Sequence, residues 1–171
     1  FGQQSSDTLR QAISFGMHKN MTILIAWASG LEQFESLGPD LCDGVYFGAQ
    51  YWHTVDAPLN QDLVKRCNDK FKFNPNYSLA GHYICTKLMI DAIIKAGTVD
   101  QKAVIAAMEG MKYAGLTGEE EIRKADHQVL KSYYLLKGKA KSKMKNKDDY
   151  ADIVSSGKSF LPVDQTGCKM A

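Results

Sequence analysis

The sequence predicts a mixed α/β fold, and three observations carry that expectation. Short apolar runs, Met21 to Trp27 and Gly44 to Gly48, alternate with stretches whose apolar residues recur at the helical period. Turn residues such as Gly38-Pro39 and Asn74-Pro75-Asn76 separate them. The composition, 44% hydrophobic and 23% charged over 171 residues, is that of a folded chain and excludes a disordered or collagenous one.

The elements follow in order. Residues 3–17 read as an amphipathic helix, with Ser5, Ser6 and Asp7 as N-caps, an apolar face of Leu9, Ala12, Ile13 and Phe15 to Met17, and Gly16 as the stop. Met21 to Trp27 reads as a parallel strand covered on both faces. Leu31 to Leu37 is a short helix, and Gly44 to Gly48 a second strand. Pro58 opens a helix to Phe73, because its fixed φ suits the first helical turn. Ser78 to Lys95 is the longest helix, with a wide buried stripe that includes His82, Met89, Ile90 and Ile94. Gln101 to Met111 follows, and these three helices interrupt the alternation and point to a separate layer or lobe. Thr117-Gly118 is a turn, Gln128 to Leu136 one strand, and Asp149 to Val154 the last strand.

Several functions find no support. The net charge of +2 gives no field directed at nucleic acid. The lysines at 137, 139, 141, 143, 145 and 147 lack interleaved aromatics and are followed by Asp148-Asp149, so they read as a solvated hairpin. Ser156-Gly-Lys-Ser159 imitates the end of a phosphate loop, but Asp152 stands where that loop needs glycine. The four histidines are scattered and no metal spacing occurs, so no cofactor or metal is expected. Glu119-Glu-Glu121 reads as a surface run, and no nucleophile has a base beside it, so the chain does not read as an enzyme. The longest apolar stretch, Met21 to Ala28, is far short of the ~20 residues of a membrane span. Cys42, Cys67, Cys85 and Cys168 form no Cys-x-x-Cys pair. The unusual candidates are aromatics at strand ends, Trp27 and Tyr51-Trp52, because ligands of parallel sheets sit beyond the carboxyl ends of strands.

An ordered set of residues resembles the type I periplasmic solute-binding proteins of the leucine/isoleucine/valine class. It comprises Leu9-Arg-Gln-Ala12 with Phe15-Gly16, Asp43-Gly-Val-Tyr46, Asp91 to Gly97, Gly115-Leu-Thr-Gly118, Asp126-His-Gln-Val-Leu130, Tyr133-Tyr-Leu135 and a late Gly-Cys. The resemblance implies the C-terminal part of a two-lobed fold with parallel sheets flanked by helices. Residues 1–50 would belong to the C-terminal lobe, 51–131 to the N-terminal lobe, and 132–171 return to the first. It further implies capture of an amino acid or related small carboxylate or amide, without catalysis, and delivery to the membrane permease of an ABC importer, in the periplasm. Ligand contacts would fall on Phe1, Trp27, Tyr51 and Tyr77. The family's usual acid for an ammonium group is replaced by Trp27, which favours an aromatic or aliphatic carboxylate or an amide. Cys168 would bridge to a half not present, and is expected free. The chain, which opens Phe-Gly-Gln-Gln, is expected to be a fragment that alone dimerises through exposed sheet edges or is unstable. A sensing domain of the same fold, or a doubly wound enzyme with its site in the other half, are the alternatives.

Overall fold

The computed structural model describes residues 2–28 and 30–170. Helix α1 spans Gln3–Ser14, and Gly16 at positive φ turns the chain out of it. Its N-cap is Gly2, not a serine; Ser6 is buried against the core instead, and Asp7 pairs with Arg10 at 3.3 Å. Phe15 and Met17 are exposed and do not extend the apolar face, because the helix ends before them.

Strand β1 is only Leu24–Ile25, followed by α2 (Leu31–Leu37), α3 (Pro39–Cys42) and β2 (Tyr46–Ala49). β1 pairs with β2 in parallel, and the alignment continues past the strand ends, Tyr46 N donating to Ile23 O and Ala28 N to Gly48 O. Gly48 permits this approach: a Cβ there would overlap the Ala26 carbonyl. The expected cover on both faces of β1 is not found. Met21, Leu24 and Trp27 are exposed, because β1 lies at the sheet edge with β2 as its one partner among the described residues.

After α4 (Pro58–Phe71), α5 (Tyr77–Ala96) and α6 (Gln101–Met108) comes an antiparallel hairpin, β3 (Lys112–Gly115) and β4 (Gly118–Ile122). Its two-residue loop is Leu116-Thr117, one residue before the turn read at Thr117-Gly118, and Gly118 already pairs with Gly115. The acidic run is not a surface patch throughout. Pleating turns Glu120 inward, where it is 3% exposed and accepts from Thr117 N at 2.9 Å and Thr117 Oγ1 at 2.8 Å. The single strand expected over 128–136 is two. β5 (Val129–Leu130) completes a three-stranded sheet with β3 and β4, and β6 (Tyr133–Gly138) joins the other sheet, in the order β1-β2-β6-β7 with β7 at Ala151–Gly157. Only the β1–β2 pair is parallel; β6 and β7 run antiparallel, so the sheet is mixed.

Two apolar cores result. Leu9, Phe34, Phe47, Trp52 and Leu136 fill the first, where the Phe34 ring lies 4.5 Å from Phe47 and 5.0 Å from Trp52. Tyr51, Leu63, Cys67, Ala80 and Leu116 fill the second. The stripe expected along α5 is narrower than read. Ala80, Leu88 and Ala92 are buried, whereas Met89, Ile90 and Ile94 face outward, and His82 is exposed and bonded to Ser78 O.

The lysine run is not a uniform solvated face. Lys139 is nearly buried and bridges Asp149 at 2.6 Å and Asp152 at 2.7 Å, which anchors the β6–β7 loop. Burial opposes its charge, but the two carboxylates outweigh burial and hold its pKa above the usual lysine value. Burial likewise pushes Asp149 up, yet bonds from Lys139 and the Lys145 N–H overcome it and hold Asp149 low. A depressed carboxylate stabilises fully above its unfolded value of about 3.9 and loses this as pH falls through the folded pKa. A raised lysine stabilises fully below about 10.4 and loses this as pH rises through its folded pKa. Lys139→Met is therefore expected to lower Tm at neutral pH, with the gap to wild type closing on acidification, as thermal melts across pH will read.

The chain passes from the first core to the second through residues 50–57, and a buried amide fastens it. Asn60, fully buried, accepts from Tyr51 Oη at 2.7 Å and donates to Val55 O at 2.8 Å and His53 O at 3.1 Å. Asn60→Ala strands these groups and is expected to cost about 3 kcal/mol, and Tyr51→Phe about 1 kcal/mol, in denaturant titrations.

Candidate functional site

The strand ends and the passages between the two sheets meet at one place. β2 ends at Ala49, and Gln50 follows it directly. β6 begins at Tyr133, two residues after Lys131. Tyr77 is the first residue of α5, whose N-cap Asn76 accepts from Leu79 N at 2.9 Å. Trp27 closes the segment after β1.

These residues line neighbouring cavities. One, of about 290 Å³, has Gln50, Tyr51, Tyr77, Tyr113, Glu120, Lys131 and Tyr133 in its wall. A smaller one of about 120 Å³ holds Trp27, with Gln50, Tyr133 and Tyr134. A third, more open one shares Gln50, Tyr77 and Cys85 with the first and adds Ser78 and His82. Gln50 stands in the wall of all three. A larger groove of about 450 Å³ runs between α2 and the start of α5, lined by Glu32, Glu35, Lys147 and Asp148. It lacks the strand ends, and its buried carboxylate, Asp148, is engaged by Asn74 at 2.8 Å and Lys147 at 3.1 Å.

The candidate residues differ in what they offer. Trp27 is 50% exposed and lines the smaller cavity. Tyr77 is half-buried at a helix N-terminus. Tyr51 is 4% exposed with its hydroxyl committed to Asn60, so only its ring reaches the cavity. Phe1 lies outside the described residues. Trp52, beside Tyr51, is 1% exposed and belongs to the core. Gln50, Lys131 and Tyr133 were not singled out from the sequence. Lys131 had a visible signal, a lone charge inside the run Val129 to Tyr134.

Burial sets the electrostatics of the site. It pushes the Tyr51 phenol up, with Cys67 adding to the effect. It pushes Tyr113 up as well, with the nearby charge of Glu120 adding to the effect. It pulls Lys131 down, against Glu120 and Cys85. Tyr51 and Tyr113 are therefore neutral at pH 7. Ser156 and Gly157 lie in β7 and Lys158 donates to Glu119 O, which is not a phosphate loop ahead of a helix. No group of His, Cys, Asp and Glu among the described residues can hold a metal, and no described helix is long and apolar enough to cross a membrane. All four cysteines are unpaired.

The family model of the periplasmic binding proteins matches residues 1–143, and the chain belongs to that family. An amino acid ABC transporter substrate-binding protein from Pseudomonas fluorescens Pf-5 is 52% identical with a TM-score of 0.96, over 99% of this chain and 46% of that one. A solute-binding protein of an ABC transporter from Rhodopseudomonas palustris BisB5, solved with 3,4-dihydroxybenzoic acid, is 21% identical with a TM-score of 0.74, over 91% and 42%. The leucine-, isoleucine-, valine-, threonine- and alanine-binding protein from Brucella ovis is 13% identical with a TM-score of 0.81, over 100% and 45%. The chain thus spans less than half the length of these solved proteins. No curated protein sequence matches it. The family and these solved relatives are binding proteins by name.

Gly30 joins the site to α2. Its φ is +119°, a region closed to most side chains, and an added Cβ would meet Tyr77 Cδ1 at 2.9 Å. Gly30→Ala is expected to displace Tyr77 and cost about 1–3 kcal/mol. Thermal melts, with near-UV circular dichroism for the tyrosine environment, check this.

Proposed function

We propose that this chain is part of an extracytoplasmic solute-binding protein, which captures an amino acid or related small carboxylate or amide between two lobes. The bound solute passes to the membrane permease of an ABC importer, and no chemistry is done on it. The observation that carries this reading is the convergence of three aromatic or amide side chains, Trp27, Gln50 and Tyr77, on cavities at the passages between two cores. Ligand sites occur where strand ends and domain junctions meet. Kinship to the Pseudomonas protein at 52% identity supports it.

Residues 1–50 and 132–171 form part of one lobe, and 51–131 part of the other. Closure about residues 50–57 and 131–132 buries the solute, and its binding energy shifts the open–closed balance. Trp27, Tyr77 and the ring of Tyr51 supply apolar contact area, and Phe1 is proposed beside them. Nucleic acid is no partner in this reading, and the compartment is the periplasm.

The test is a thermal-shift screen of the intact protein against amino acids, aromatic acids, short fatty acids and amides. A bound solute at 100 times its Kd adds about 2.7 kcal/mol of stability, a shift of several degrees. Trp27→Ala is expected to weaken the solute found at least tenfold while leaving the apo Tm unchanged. No shift with any class sinks the proposal. Produced alone, the 171 residues are expected to associate through the open edge of β1, and elution as a stable monomer from size exclusion would refute that.

A further inference from the structure

Lys131 is the one cation among the described residues that line the cavities of the strand ends. Its ammonium lies at the seam between them. Nζ donates to Gln50 O at 3.2 Å and sits 5.9 Å from the Tyr133 ring centre, and both residues also wall the cavity of Trp27. An ammonium carries three donors, and the backbone carbonyl takes one of them. Lys131 is half-buried, and an ammonium partly withdrawn from water with donors to spare favours an acceptor.

The one acid in the same wall does not offer itself to a solute. Glu120 already accepts both Thr117 donors at Oε1. Its charge offsets that of Lys131 at a distance, while Oε1 is engaged. What stays open is a cation beside aromatic faces and one amide. That combination complements a carboxylate on an apolar or aromatic body and offers no new partner to an α-ammonium group.

We infer that Lys131 anchors the solute's carboxylate, and that the site prefers a carboxylate without an α-ammonium group to the corresponding amino acid. This rests on the binding-protein reading above and deepens it. Lys131 is thereby a specificity-determining residue, and Trp27 and Tyr133 receive the body of the solute.

Calorimetry on the intact protein with two sets of probes tests it. One set is 3-phenylpropanoate, 3-phenylpropanamide and phenylalanine; the other is 4-methylpentanoate, 4-methylpentanamide and leucine. In at least one set the carboxylate is expected to bind at least tenfold tighter than the amino acid. Lys131→Gln should weaken the carboxylate ten- to hundredfold and leave the amide within twofold, whereas Lys131→Arg should retain most of the affinity. A purely structural lysine would weaken carboxylate and amide alike, and that result overturns the inference, as does an amino acid binding as tightly as its carboxylate. If Lys131→Gln does not fold, the wild-type ranking of carboxylate against amino acid decides alone. Binding of amino acids only leaves the binding-protein reading standing and removes this one. Binding of no probe in either set removes both.

Discussion

The structure turns on two neighbouring aromatic residues that face different cores. Tyr51 packs with α4, α5 and the hairpin turn, whereas Trp52 packs with Phe34 under the four-stranded sheet. A one-residue step cannot serve two cores unless the backbone between them is held. The side chain of Asn60 holds it, by closing on the Tyr51 hydroxyl and on two carbonyls of the connection. With its donors and its acceptor occupied, this buried amide contributes fixed geometry without a desolvation deficit. The position of Gln50, one residue before Tyr51, is a consequence of that clamp.

The second passage is fastened to the first. Lys131 reaches the carbonyl of Gln50, and Ser132 N donates to Thr117 Oγ1, whose own hydrogen goes to Glu120. Further links among the described residues are polar: Asn74 to Asp148, Arg123 to Leu161 O, and Lys158 to Glu119 O. Gly30 against Tyr77 is a close steric contact of the same kind. Apolar area binds each core within itself, and hydrogen bonds connect one to the other. Such a junction can be reset at small cost, since each exposed bond is exchanged for one to water. Hinged closure is thus compatible with two rigid cores, and the cavities at the junction are the volumes that closure would change.

Much of this was legible in the residues, and what was not has physical causes. Pro58 and the helical period marked α4, and Leu31 to Leu37 was read to the residue. The hairpin β3–β4 was hidden because Glu119-Glu-Glu121 has poor strand propensity. Only the pairing partner and the Thr117 donors make an inward Glu120 tolerable. Val129 to Leu136 has one continuous pattern, and periodicity does not report that a chain changes sheet in the middle of it. Along α5 nearly every turn carries apolar residues, so the pattern did not say which face would be covered; within these residues the face of Ile90 and Ile94 is not. At the candidate site, strand-end logic nominates Trp27 and Tyr51 but not Lys131, since a lone lysine near a strand end reads as exposed until its neighbours are known.

Burial sets the direction of the pKa shifts. It lifts the Cys42 thiol to about 12 and raises Cys67, Tyr51 and Tyr113, and it lowers His53. Each of these groups is driven to its neutral form, and of them Tyr51 and Tyr113 stand in the cavity wall. Lys131 follows the same trend, since burial lowers it too, but Glu120 opposes the loss of its proton. A solute carboxylate would add to that opposition. The ammonium is therefore the group in the wall whose charge a bound anion would reinforce, and linkage works in both directions. As pH rises through the pKa of free Lys131, carboxylate affinity must fall, while that of a neutral amide does not follow.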